Sequence, residues 1–302
     1  MSESMAAPST SVSRENLRGI AAMLLAVSCF GVMDASLKLL SPHYPALQVV
    51  ALRGWASLPL ICLWLAVRPG RARLFEVRFG LHLLRAGIGI LMLGGFTYAL
   101  RDLPLAEAYA IFFVAPLMIT ALSVPLLGER VDSKRWLAIG VGFLGVLIVL
   151  RPTGAGMASL AGVAVLLAAT GYAISAITVR VLSRTDTTIS MVFWLTLMLA
   201  VFGTLVALPE WTPVRREDWF VLAALGLSGA FGQYAITVAF ARGQASVVAP
   251  FEYTALAWGL TVDWLLWNTY PDLGMLLGAA VIIASGLYLI RHERVHVQAE
   301  KP

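Results

Sequence analysis

From the amino terminus onward, long apolar runs alternate with short polar breaks, and run length decides which element each run forms. A helix that crosses lipid needs about 20 mostly apolar residues, whereas the strands of a membrane barrel alternate apolar and polar positions over about ten. Windows of the first kind predict ten helices, over residues 18–40, 46–67, 79–100, 103–127, 136–150, 160–182, 188–208, 217–241, 245–267 and 272–290. The breaks carry turn residues, among them Ser41-Pro42-His43-Tyr44-Pro45, Arg68-Pro69-Gly70, Arg151-Pro152-Thr153-Gly154 and Tyr270-Pro271-Asp272. Pro104 suits a first helical turn, where a missing N–H costs nothing. Residues 1–16 are polar and Ser-rich and read as a disordered tail before a retained anchor, not as a cleaved leader. Residues 293–302 read as a second polar tail.

Composition supports this pattern. Of 302 residues 59% are hydrophobic and 13% charged, about half the charge of an average soluble domain; the mean hydropathy is +0.83. A cytosolic enzyme with one core, a secreted disulfide scaffold and a disordered chain are excluded, which leaves an all-α integral membrane protein. The net charge of +5 raises the question of a nucleic-acid partner, and the placement of the charges answers it. Of 22 lysines and arginines, Lys38, Arg53 and Arg85 fall in the interior of predicted spans, and Arg18 and Arg180, at span ends, are counted with the adjoining loops. Alternate loops divide the remainder fifteen to four, the minority being Arg101, Arg151, Arg215 and Arg216. That bias orients a membrane protein with both termini in the cytoplasm, and it leaves no basic patch for nucleic acid. Cys29 and Cys62 sit in apolar runs, with no pairing or metal-ligand spacing between them and the four histidines.

The chain also resembles itself. Shifted by 140 residues, the first five segments fall on the last five, so that Thr97 meets Thr237, Ala99 meets Ala239, Asp132 meets Asp272 and Arg151 meets Arg291. Two units follow, residues 17–151 and 160–292. Five spans is an odd number, so the second unit enters the membrane inverted, an arrangement that in transporters places the site between repeats near the midplane.

The stretch Leu103-Pro104-Leu105-Ala106-Glu107-Ala108-Tyr109-Ala110-Ile111-Phe112-Phe113-Val114-Ala115-Pro116-Leu117, with Leu127-Gly128-Glu129-Arg130, resembles the helix-four signature of the ten-helix drug/metabolite transporter superfamily, EamA type. Ala245-Ser246-Val247-Val248-Ala249-Pro250-Phe251-Glu252-Tyr253 looks like its second-half counterpart, and Phe30-Gly31-Val32-Met33-Asp34-Ala35-Ser36-Leu37-Lys38 resembles the helix-one motif. The resemblance covers residues 17–292. It departs where Gly128-Glu129 closes the fourth segment, since the second half reads Trp267-Asn268-Thr269. It implies an inner-membrane carrier of two inverted five-helix repeats that moves small polar metabolites by alternating access, most often exporting amino acids or compounds derived from them. No cofactor or metal is implied. An exporter of an amino-acid-derived metallophore and an importer of a vitamin or nucleoside-like compound remain open. A scaffold that transports nothing has no use for charges in its spans.

Those charges are the candidate chemistry, because an ionised group inside hydrocarbon costs about 2.5–3.5 kcal/mol or more. They are Asp34, Lys38, Arg53, Arg85, Glu107, Glu252 and Asp263. Asp34 and Lys38 stand one turn apart and could neutralise each other, unless Lys38 reaches the interface and leaves Asp34 to a cavity. Arg53 keeps its charge everywhere and calls for Asp34, Glu107, Asp263 or a substrate anion. Glu252 follows Pro250, which frees a backbone carbonyl in mid-helix; a carboxyl there suits proton coupling or cation binding. Tyr98, Tyr109, Tyr172, Trp194, Gln233, Tyr234, Tyr253 and Trp258 supply rings and an amide for a small organic substrate, while Trp55, Trp64, Trp211 and Trp219 read as interfacial belts. Pro116 and Pro250 are candidate hinges.

Two motif matches fail on context. Gly140-Val141-Gly142-Phe143-Leu144-Gly145 has dinucleotide-loop spacing but lies in mid-helix and follows no strand. Gly226-Leu227-Ser228-Gly229 looks like an intramembrane serine-protease motif, yet the histidines after it, His292 and His296, lie beyond the last predicted span. No enzyme chemistry is expected.

Overall fold

Apolar runs of 20 or more residues become single helices. The structure, a computed structural model, describes residues 9–67, 74–103, 105–129, 131–150 and 159–268, with scattered helical positions between 273 and 288. The described residues form helices joined by turns, without strands. The long helices are α1 (Ser9–Leu40), α2 (Ala46–Val67), α3 (Phe79–Ala99), then after three shorter ones α7 (Leu160–Leu182), α8 (Thr188–Ala207) and α9 (Trp219–Arg242). All six are long and apolar enough to cross a membrane. Each also turns large apolar side chains outward, such as Leu25, Leu63, Leu91, Leu167, Leu205 and Phe231. A water-soluble bundle avoids exposed apolar area on this scale; lipid accepts it.

The shorter helices are α4 (Leu105–Phe112), α5 (Ala115–Leu127), α6 (Ser133–Leu150), α10 (Ala245–Val248) and α11 (Ala255–Trp267). They correct two of the predicted spans. The segment expected over 103–127 is interrupted at Phe113–Val114, and the one expected over 245–267 passes through a 3-10 stretch, Ala249–Thr254. Proline is the cause in both. Pro116 has no N–H for the Phe112 carbonyl, and Pro250 has none for that of Ser246; each proline opens the first turn of the next piece. Helix α1 also begins at Ser9, taking in residues read as disordered tail. Tertiary bonds hold that turn: Glu15 accepts from Arg242 at 3.1 Å, and the Asn16 side chain accepts from the Gln244 N–H at 2.9 Å.

The long helices pack as α1 on α9, α2 on α8 and α3 on α7. The first helix of one set thus meets the third of the other, and the two second helices meet, which is the pairing a two-fold axis generates. Helix α2 is held on two sides where glycine removes the side chain. A Cβ on Gly54 would stand 2.5 Å from the Ala200 nitrogen of α8, and one on Gly226 of α9 would stand 2.6 Å from the Ala56 oxygen. Such small-residue contacts let membrane helices pack by van der Waals contact alone. The broken helices cross beside this core, α4 against α11 and α5 against α10.

Candidate functional site

Between the helix pairs lies a cavity of about 150 Å³. Its polar lining is Asp34 from α1, Arg53 from α2, Arg85 from α3, Tyr109 from α4, Tyr172 and Ser175 from α7, Gln233 from α9 and Glu252 from the 3-10 stretch. Phe30, Phe96, Phe112, Phe113 and Phe240 supply much of the wall between them.

Each carboxyl faces a phenol. Tyr109 donates to Asp34 Oδ2 at 2.7 Å, and Tyr172 donates to Glu252 Oε1 at 3.0 Å. The helices that supply the two groups exchange roles. On α1 and α4 the first helix of its half bears the acid; on α7 and the stretch after α10 that helix bears the phenol. Pro250 makes the second arrangement possible, because the 3-10 path of Ala249–Thr254 puts Glu252 on the cavity wall instead of in a continuous helix face.

The arginines are held differently. Arg53 is buried; its Nη2 donates to Gln233 Oε1 at 3.2 Å, its Nε has no hydrogen-bond partner, and Asp34 lies within electrostatic reach. Arg85 is 2% exposed. Its Nη1 donates to the Met191 carbonyl at 3.2 Å and its Nε to Ser175 Oγ at 3.4 Å, so both bonds go to neutral oxygens. A buried charge is normally paired, so these guanidiniums and carboxyls leave room for a polar ligand among apolar walls.

Of the residues expected at the site, Asp34, Arg53, Arg85, Tyr109, Tyr172, Gln233 and Glu252 come together. The backbones of Glu107 and Asp263 belong to α4 and α11, and their side chains lie outside the described residues. Five others lie apart from this cavity. Tyr98 sits at the end of α3 beside a separate cleft that also holds Arg101 and Glu210. Tyr234 packs on Trp64 with ring centroids 4.4 Å apart. Tyr253 turns its ring edge to Phe113, and its hydroxyl is buried without a partner. Trp258, 37% exposed, rests on Gly31. For Tyr234 and Tyr253 the reason is angular: neighbours diverge by about 100° on an α-helix and about 120° on a 3-10 helix, so they do not follow Gln233 and Glu252 into one cavity. Trp194 also points elsewhere, donating from its indole to the Leu74 carbonyl at 2.7 Å. Pro116 and Pro250 stand at the helix interruptions.

Two arrangements went unforeseen. His82 Nε2 lies 2.7 Å from Asp186 Oδ2 with both side chains fully buried, one turn along α3 from Arg85. The spacing of His82 and Arg85 was the available signal; Asp186 gave none, standing in a turn between spans. Glu129, after α5, accepts from the Ala245 and Ser246 N–H groups at 2.8 and 2.9 Å and from Ser246 Oγ at 2.7 Å, and so closes α5 onto the start of α10.

Comparison with known proteins agrees with the membrane architecture. The EamA-like transporter family matches twice, over residues 17–151 and 159–291. A riboflavin transporter of Vibrio cholerae is 30% identical over 96% of this chain and 99% of its own length. A pseudopaline exporter of Pseudomonas aeruginosa is 29% identical over 91% and 97%, and an S-adenosylmethionine uptake transporter of Rickettsia prowazekii 27% identical over 92% and 94%. One solved crystal structure has the same fold, with a TM-score of 0.76 over 94% of this chain and 99% of that one, at 18% identity.

Proposed function

Since this chain belongs to the EamA-like transporter family, we propose that it is a secondary carrier that exports a small polar, amino-acid-like metabolite across the inner membrane by alternating access. One observation carries this reading: a single cavity gathers Asp34, Arg53, Arg85 and Glu252 between the helix pairs, behind aromatic walls. Opposite charges in one cavity suit a molecule that carries both signs, with Asp34 or Glu252 for its cationic end and Arg53 or Arg85 for its anionic end. A carboxyl held by a phenol can also carry the coupling proton.

Ten helices in two inverted repeats suit the two family matches and the palindromic helix pairing. The excess of basic residues on one set of loops supports cytoplasmic termini. The segments over 79–127 and 217–267 move in this scheme, and Pro116 and Pro250 serve as hinges because the backbone is already interrupted there. At about 150 Å³ the cavity is smaller than the ~300–1,000 Å³ of most ligand pockets, which fits a contracted state between the two open ones.

A second reading, uptake of a vitamin or nucleoside-like compound, draws on the rings around the cavity and on the riboflavin and S-adenosylmethionine relatives. The pseudopaline relative keeps a larger amino-acid-derived metallophore as a third. Metabolite profiling of medium and cytoplasm from a deletion strain names the cargo and its direction. In proteoliposomes loaded with that compound, Arg53→Ala and Glu252→Gln should each lower flux at least tenfold, about 1.4 kcal/mol of lost stabilisation. Unchanged flux in both variants would sink the proposal.

A further inference from the structure

The two arginines of the cavity are equally buried and unequally balanced. Arg53 has Asp34 within electrostatic reach and the Gln233 amide in contact. Arg85 has the Ser175 hydroxyl and the Met191 carbonyl. Asp186, which meets α3 one turn from Arg85, is committed to His82 at 2.7 Å and to the Thr185 hydroxyl at 2.6 Å. Arginine cannot shed its charge to escape burial, and a buried charge is tolerated where something balances it. We propose that Arg85 is the anion subsite of the carrier, receiving a carboxylate or other anionic group of the transported molecule. This assignment rests on the transporter reading and deepens it.

Helix α7 sets the geometry. Ser175 touches Arg85 and Tyr172 touches Glu252, and three residues of helix rise by about 4.5 Å. The guanidinium and the free carboxyl oxygen therefore meet the cavity within one turn of the same helix. An anion on Arg85 leaves Glu252 for the cationic or proton-bearing part of the same molecule. Arg53 and Asp34 lie within electrostatic reach of each other; they tie α1 to α2 and, through Gln233, to α9, and stay open to the cavity for the rest of the molecule.

The test reads local charge without knowledge of the cargo. In full-length protein reconstituted in liposomes, Cys29 and Cys62 are replaced by alanine and Ser175→Cys places a thiol beside Arg85. The thiol is reacted with an anionic sulfonatoethyl and a cationic trimethylammonioethyl methanethiosulfonate, each rate divided by that for a free thiol. The anionic reagent should react at least about tenfold faster, a preference of about 1.4 kcal/mol. Benzoate should slow it and the neutral isostere benzyl alcohol should not. Adding Arg85→Gln should bring the ratio near one, and Arg85→Lys should retain most of it. No anionic preference with Arg85 present, a preference that survives Arg85→Gln or disappears with Arg53→Gln instead, or no reaction with either reagent, overturns the assignment. The arm with native Arg85 stands alone if the Arg85 variants misfold. Flux of the cargo in the same liposomes separates the two ideas: flux without anionic preference removes the subsite and leaves the carrier, and preference without flux does the reverse.

Discussion

An aspartate, a tyrosine and an arginine meet at two places in this molecule, with different results. At the turn before α9, Arg215 grips Asp218 with two bonds of 2.9 and 3.1 Å, and Tyr44 donates to the same carboxyl at 2.6 Å. In the cavity Tyr109 donates to Asp34 at 2.7 Å, but Arg53 turns its bond to Gln233 and leaves Nε unpartnered. The outer knot is a closed set of fork-like bonds. The inner trio is balanced in charge and open in bonding, and openness behind apolar walls is costly unless a ligand closes it. Residue type alone therefore does not mark a site; unfinished bonding does.

The comparison breaks first at the inner trio. Asp34→Leu removes the acid opposite Arg53 and should lower stability by about 3 kcal/mol, the order seen when one partner of a buried charge pair is removed. Unfolding of the detergent-solubilised protein measures it. Adding Arg53→Met should restore most of that loss while flux stays below about one-tenth of the native value. Recovery of flux together with stability would make the trio a mere brace.

A smaller effect separates the two tyrosines. Tyr109→Phe leaves the Asp34 carboxyl without its phenol donor inside the cavity and should cost about 1–3 kcal/mol. Tyr44→Phe also frees the Arg215 N–H that donates to its hydroxyl at 3.0 Å, but it leaves Asp218 in the two-bond grip of Arg215 and should cost less, near 1 kcal/mol. Parallel unfolding curves for the two variants give the order directly, and an inverted order would contradict the contrast.

The sequence made much of this legible, for reasons that differ by residue. The six long helices follow from run length, because lipid demands it. Asp34, Arg53, Arg85 and Glu252 stood out because charge inside apolar runs is rare and costly. Composition carries no angular phase, so Tyr98, Tyr234, Tyr253 and Trp258 could not be told from Tyr109 and Tyr172. The interruptions after Phe112 and Val248 were announced by Pro116 and Pro250, yet whether proline kinks a helix or divides it depends on what packs against the freed carbonyl. Pairs such as His82–Asp186 and Glu129–Ser246 join residues 104 and 117 positions apart, a distance that only the fold closes.

The smallest effect belongs to the outer knot, and its size tests the logic of the contrast. The Arg215 side chain is 42% exposed, so water and salt screen its attraction to Asp218, and pairs of this kind contribute at most about 1 kcal/mol. Asp218→Asn keeps an acceptor for Tyr44 and removes the charge together with one of the two Arg215 bonds. It should lower stability by less than about 1 kcal/mol at low salt and by almost nothing near 1 M salt, where the Debye length falls to about 3 Å. Flux should stay within about twofold of native, less than 0.5 kcal/mol, because nothing in the knot reaches the cavity. The cavity variants, shielded from salt, should show no such dependence. A loss at Asp218 that is large and insensitive to salt would mean that Arg215 is covered in the working protein, and the distinction between a finished, solvent-screened pair and an unfinished cavity pair would then have to be redrawn around a moving helix end.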